Sequence, residues 1–209
     1  MKNLSLAAVL GLMLVCSTAN ATPVSWIDWT STTTGALDVN GTTVNVSLTG
    51  PAIAVINGDT YYNNSNTGGT YGGLVPSDAI QVNQGGTFTL TFDQAIIDPY
   101  MSLISVGQRG YGVTYSFDDA FSVVSEGSNF WGYAGYSVSG NDFTGTEFNG
   151  ILQFSGAFTS ISFDVSPYEH WHGFNFGTTS VADVPEPAIA ALFGIGILGL
   201  MLTNRRKQS

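Results

Sequence analysis

Hydroxyl and amide side chains alternate with apolar ones through most of the middle of this chain, and that two-residue period fixes the kind of structure it can form. Val44, Val46 and Leu48 fall on one side of an extended segment, with Thr43, Asn45, Ser47 and Thr49 on the other. Phe88, Leu90 and Phe92 repeat the pattern against Thr87, Thr89 and Thr91. Successive side chains of a strand point to opposite faces, so each such segment offers one face to a core and one to water. Tyr111 to Phe117, Phe121 to Val124, Tyr136 to Val138, Ile151 to Phe154, Phe158 to Val165 and His170 to Phe176 read as further strands. Pro99 to Gly107 is more continuously apolar and reads as a central strand buried on both faces. Turn signals fall at Asn40-Gly41, Asn57-Gly58, Gly85-Gly86, Glu126-Gly127, Gly140-Asn141-Asp142 and Asn149-Gly150. Asn57 to Pro76 and Ser128 to Tyr136 read as loops. Lys, Arg and Glu, which usually cover helix surfaces, are scarce. The expectation is an all-β, antiparallel two-sheet sandwich of the jelly-roll type, followed by a C-terminal transmembrane helix.

The two ends differ from the middle. Lys2, the apolar run Leu4 to Val15 and Ala19-Asn20-Ala21 make residues 1–21 a signal peptide cut after Ala21. Cys16, the one cysteine, would leave with it, so no disulfide framework is expected. Residues 22–177 are read as the sandwich, and 178–187 as a linker ending in Val184, Pro185, Glu186 and Pro187. Residues 188–204 follow as a membrane helix, and 205–209 as a cytoplasmic tail in which Arg205, Arg206 and Lys207 stop transfer. The uncharged run Ala188 to Leu202 is short for a hydrocarbon core of roughly 30 Å; Thr203 and Asn204 extend it, and the basic side chains can snorkel. Gly194 to Gly199 matches GxGxxG, but no strand precedes it and no βαβ unit can follow.

Between Thr22 and Val184 stand one cation, Arg109, and fourteen acids, a net charge of −13. Such a domain repels phosphate backbones, so nucleic acid is excluded as a partner. Arg109 is expected in a buried ion pair with an aspartate.

The order Pro185-Glu186-Pro187, apolar helix, Arg205-Arg206 resembles the PEP-CTERM sorting signal of Gram-negative envelope proteins. The resemblance implies export by the Sec machinery and an inner-membrane intermediate with its C-terminus in the cytoplasm. An exosortase would then process the tail and deliver the protein to the cell surface or the extracellular polymer. The domain also resembles a group of PEP-CTERM surface proteins. That likeness rests on Trp26-Ile27-Asp28-Trp29-Thr30, Thr87 to Phe92, Asp98-Pro99 and Ser105-Val106-Gly107. It continues through Gly145-Thr146-Glu147, Gly150, Phe154-Ser155-Gly156, Phe158 to Phe163, Pro167, Glu169, Trp171 and Gly173-Phe174. It carries no activity with it.

Several residues could carry chemistry. On one strand, His170 and His172 would share a face and could hold a metal, with Glu169 pointing away; the plainer reading buries Trp171 and leaves both histidines in solvent. Asp118, Asp119 and Asp142 could ligate Ca2+, or simply form turns. No other cofactor is expected. Trp131 and Tyr133, in the aromatic stretch Phe130 to Tyr136, could stack on sugar rings, or close one end of the core. Glu126, Glu147 and Glu169 could supply a glycosidase pair only at a suitable separation, and Glu147 reads as a turn residue with a structural hydrogen bond. There is no GxSxG elbow, no HExxH and no cysteine past the signal, so the expectation is not an enzyme. The expected role is a structural or adhesive sandwich in the envelope or matrix. The alternative is a carbohydrate-binding module of the exopolysaccharide.

Overall fold

The computed structural model describes residues 23–57, 71–72, 78–128 and 130–182. The signal peptide, the motif Val184 to Pro187, the membrane helix and the basic tail lie outside them, as does most of the loop Asn57 to Pro76. Among the described residues there is no helix, hence none long and apolar enough to cross a membrane, and sixteen strands. They are β1 (Ser25–Trp26), β2 (Asp28–Trp29), β3 (Thr34–Val39), β4 (Thr42–Thr49), β5 (Ala54–Ile56), β6 (Ala79–Val82), β7 (Gly86–Ile97) and β8 (Tyr100–Val106). There follow β9 (Val113–Phe117), β10 (Phe121–Glu126), β11 (Tyr136–Ser139), β12 (Asp142–Gly145), β13 (Phe148–Phe154), β14 (Ala157–Ser166), β15 (His172–Thr178) and β16 (Ser180–Val181).

All pairings are antiparallel. One sheet runs β10-β13-β8-β15-β6-β5, with β1 added to β15; the other runs β11-β12-β9-β14-β7-β4-β3-β2, with β16 added to β7. The inner faces meet in one core, where Phe88, Tyr115, Phe154, Phe163, Phe174 and Phe176 interlock. Phe88 lies 5.4 Å from Phe163 in near-parallel stacking, and Phe174 meets Phe163 edge-on at 5.3 Å. The outer face of the larger sheet is the hydroxyl face read from the sequence: Thr49 stands opposite Thr89, and Thr89 opposite Ser162.

The smaller sheet is covered on both sides. Behind it Val24, Trp26, Ala79, Ile104 and Ile151 form a second apolar cluster, with Tyr71 and Tyr100 packed against it. This explains why β8 reads as a continuous apolar run: only Tyr100 of its seven residues is not fully buried. β15 is buried at every position. Its Asn175 is inaccessible, yet its amide is satisfied on both sides. Oδ1 accepts from Trp29 Nε1 at 2.9 Å and from the Phe176 amide at 2.8 Å, while Nδ2 donates to the Ile27 carbonyl at 2.9 Å. One side chain thus ties the N-terminal arm, which crosses from one sheet to the other at Ile27, to the middle of the sandwich.

Some expectations change. Asn149-Gly150 is not a turn but lies inside β13, fully buried. Asn149 Oδ1 accepts from the Ser105 amide at 2.7 Å and its Nδ2 donates to the Gly132 carbonyl at 3.0 Å, bonds a turn asparagine would make locally. A Cβ on Gly150 would stand 2.1 Å from the Ser125 carbonyl oxygen, so close strand packing, not a turn, requires glycine there. The Asn40-Gly41 turn is as read, with both residues at positive φ, as a tight two-residue hairpin demands. Strand pairing also continues past residue 177 into the stretch read as linker, since Ser180 and Val181 pair with Ile97 and Ile96.

Replacing Asn175 by leucine strands the Trp29 indole N–H and the Ile27 carbonyl in the interior. The full-length protein is expected to lose about 3 kcal/mol in urea unfolding. An unchanged midpoint would show that the arm is held by other means.

Candidate functional site

Three adjacent strands of the smaller sheet, β13, β8 and β15, end at one edge. Antiparallel pairing brings the start of β13, the end of β8 and the start of β15 together there. Residues at or just beyond these ends, with Trp131 from the β10–β11 connection, form a cleft of about 290 Å3, lined by Ser105, Gln108, Trp131, Glu147, Glu169, His170 and Trp171. A second cavity of about 240 Å3, lined by Gln108, Tyr111, Tyr168, Glu169 and His170, shares three of these residues.

The cleft is braced by unusual backbone. Ser105 and Glu147 have φ of 52° and 59°, a left-handed conformation uncommon for either residue. Among the described residues the other non-glycine positions of this kind, Asn40 and Asp98, belong to types that adopt it more readily. Ser105 and Glu147 hold each other: the Ser105 hydroxyl donates to Glu147 Oε1 at 2.5 Å. Gly107 follows at φ 75°, and a Cβ on it would stand 2.1 Å from the Gly145 carbonyl oxygen. Its amide donates to Glu169 Oε2 at 2.9 Å. Backbone held in sparsely populated regions concentrates at functional sites, and here it borders the cavity.

Glu169 is only 2% exposed. Besides the Gly107 amide, its Oε2 faces His172 Nδ1 at 3.0 Å, an ion-pair distance without the alignment of a hydrogen bond. His172 is fully buried, its Nε2 has no hydrogen-bond partner, and its ring meets Tyr115 edge-on at 5.7 Å. The Tyr115 hydroxyl is also without a partner. Burial first, and the Glu169 charge second, push its pKa well above the usual phenol range. Tyr115 therefore stays a neutral core residue. Glu147 has a raised pKa because of desolvation and the nearby Glu169 charge, opposed by the Ser105 hydrogen bond and by Arg109.

The residues proposed from sequence separate. Trp131 is 43% exposed, lines the cleft and packs against Trp171, with ring centroids 4.5 Å apart. Tyr133 instead turns its ring toward Phe148 and its hydroxyl donates to Glu126. That bond, after desolvation, helps raise its pKa to about 12. The two histidines do not share a face. The strand begins only at His172, so His170 lies in the preceding irregular segment, exposed beside Tyr168, while His172 is inside. Glu169, expected to point away, is the group beside His172. Asp118 and Asp142 are exposed and Asp119 half-buried around the turn at Asn141, whose amide donates to the Asp118 carbonyl. Among the described residues no group of three or more His, Cys, Asp or Glu could hold a metal ion. Arg109 is exposed on the tight turn closed by Gln108 and Tyr111 rather than buried in an ion pair. Of the three glutamates, 147 and 169 meet in the cleft and Glu126 does not line it. Gln108, Tyr111 and Tyr168 were not singled out by sequence. The exposed aromatic rings were the one signal available, and alternation says nothing about residues outside strands.

Because the Glu147 carboxyl titrates higher in the folded protein than its ordinary 4.5, folding favours its protonated form. That contribution is complete below about pH 4.5 and is lost as pH rises through the folded-state value. Glu147→Gln keeps an acceptor for Ser105 and removes the charge. The variant is expected to be more stable than the parent near neutral pH, with the gap closing on acidification. A gap that widens toward pH 4 would contradict this.

Residues 183–207 match the PEP-CTERM protein-sorting motif. The chain therefore carries the tail of an exported, exosortase-sorted protein of the cell envelope. No curated protein and no solved structure matches the chain.

Proposed function

We propose that this PEP-CTERM protein displays a carbohydrate-binding sandwich at the cell surface, where the cleft beside Trp131 holds polysaccharide of the extracellular matrix. The supporting observation is the pairing of an exposed Trp131 with a half-buried Trp171 on a cavity whose remaining lining is polar. Indole faces pack on the apolar C–H faces of pyranose rings, and Gln108, Ser105, Glu147 and His170 supply donors and acceptors for the ring hydroxyls. A structural or adhesive role follows from the same contact, since a surface domain gripping the matrix polymer anchors cell to matrix. No catalytic role is proposed.

The strand order supports reading the sandwich as a jelly roll. From β6 on, β6, β8, β13 and β15 form one four-strand block in the order β6-β15-β8-β13. β7, β9, β12 and β14 form the other in the order β7-β14-β9-β12. Successive strands of these eight thus alternate between sheets except β9 and β12, which pair within the larger one, and β10 and β11 are additions at the edges. Sorting precedes binding: Sec export, arrest with Arg205, Arg206 and Lys207 inside, then processing near Pro185-Glu186-Pro187.

Binding of neutral linear glycans (cello-, N-acetylchito-, manno- and galacto-oligosaccharides) to the full-length protein in detergent, measured by calorimetry, tests this reading. At least one series is expected to bind, and Trp131→Ala to weaken it by about 2 kcal/mol, roughly 30-fold. Equal affinity of Trp131→Ala and the parent would refute the cleft as the site.

A further inference from the structure

The two cavities are not independent. They share Gln108, Glu169 and His170, so they lie side by side with polar residues between them. Aromatic rings stand at both ends. Trp131 and Trp171 flank the first cavity; Tyr111, 44% exposed, and Tyr168, 51% exposed, flank the second. The far end is built rather than incidental. The Tyr111 hydroxyl donates to the Tyr168 carbonyl at 2.8 Å, and the Tyr168 ring lies edge-on to His170 at 5.7 Å, with its hydroxyl 3.4 Å from Nδ1. These contacts fix two exposed phenol rings and the central imidazole relative to one another. Exposed apolar rings held in place on a cavity are the groups a ligand covers on binding.

We infer that the two cavities form one groove of two consecutive sugar subsites, one walled by Trp131 and Trp171 and one by Tyr111 and Tyr168, which takes an internal stretch of a linear, non-anionic polysaccharide. The inference rests on the carbohydrate reading above and goes beyond it in length and charge. Length follows from the two cavities, each with its own aromatic wall and joined through shared polar residues. A single ring would fill one and leave the other wet. Charge follows from the lining. Glu147 and Glu169 are acidic, Arg109 is the single cation between residues 22 and 184, and that region carries fourteen acids. The one arginine nearby, Arg109 on the Gln108–Tyr111 turn, stands against both carboxylates and is near enough to Glu147 to act on its charge, so a uronate or sulfate group would enter against a net excess of like charge.

The test uses the full-length protein with a monosaccharide, a tetrasaccharide and a polyuronate, taking the neutral series that binds best. The parent is expected to bind the tetrasaccharide at least about tenfold more tightly than the monosaccharide, because the second ring adds contacts without a second loss of rigid-body freedom. Tyr168→Ala removes an exposed side chain and leaves its carbonyl bond to Tyr111 in place, so the fold is retained. It should bring tetrasaccharide affinity down to the level at which the parent binds the monosaccharide. Trp131→Ala should weaken both. Polyuronate should not compete. Equal affinity for mono- and tetrasaccharide, or an unaltered tetrasaccharide affinity in Tyr168→Ala, overturns the second subsite and leaves the first standing. Competition by polyuronate overturns the charge selection. Failure of every neutral glycan to bind overturns the carbohydrate reading and this inference together.

Discussion

Burial of β15 on both faces is the constraint from which most of the molecule follows. A strand with no solvent face needs a core on each side, so the sandwich interior alone is not enough and the N-terminal arm must cover the back of the smaller sheet. Asn175 secures that cover from within, with every polar atom of its side chain bonded. Glycine at 177 is the matching concession, since a Cβ there would stand 2.6 Å from the Ser25 carbonyl oxygen of the arm. A buried amide of this kind contributes little net stability when satisfied and costs much when broken, so it specifies where the arm lies more than it strengthens the fold.

The same strand positions the site. β15 starts at His172, and the irregular residues before it, Glu169 to Trp171, reach the sheet edge where β8 ends and β13 begins. Glu169 is fixed there by the Gly107 amide, just past β8, and Glu147 by the Ser105 hydroxyl near the end of β8. Desolvation raises the cost of ionising Glu147, and the Glu169 charge on the same cavity adds to it. Rigid strands thus hold the floor of the groove, while the aromatic walls come from the segments between strands.

The long strands were legible because alternation and the Asn40-Gly41 signal are local properties: β4, β7, β14 and the doubly buried β8 follow from side-chain order alone. Asn149-Gly150 misled because the dipeptide that suits a turn also suits a strand pressed against another backbone, and only tertiary contact distinguishes the two. The short strands β5, β6 and β12 have too few residues to show a period. At the site, Trp131 and the three glutamates were visible as chemistry. Their grouping was not: Ser105, Glu147 and Glu169 are far apart in sequence and meet only through sheet pairing. The His170–His172 face failed for a related reason, since two-residue spacing implies a shared face only inside a strand.

On the function proposed above, a groove for matrix polysaccharide has a use only outside the cell, so the tail and the domain would act in sequence. The intact mass and location of the protein in its host, compared with a variant carrying alanine at Pro185, Glu186 and Pro187, test that link most directly. The expected result is a parent protein that has lost the tail and is found at the surface or in the matrix, with the variant intact and held at the inner membrane. An intact tail in both, at the inner membrane, would contradict it and leave the groove facing the periplasm.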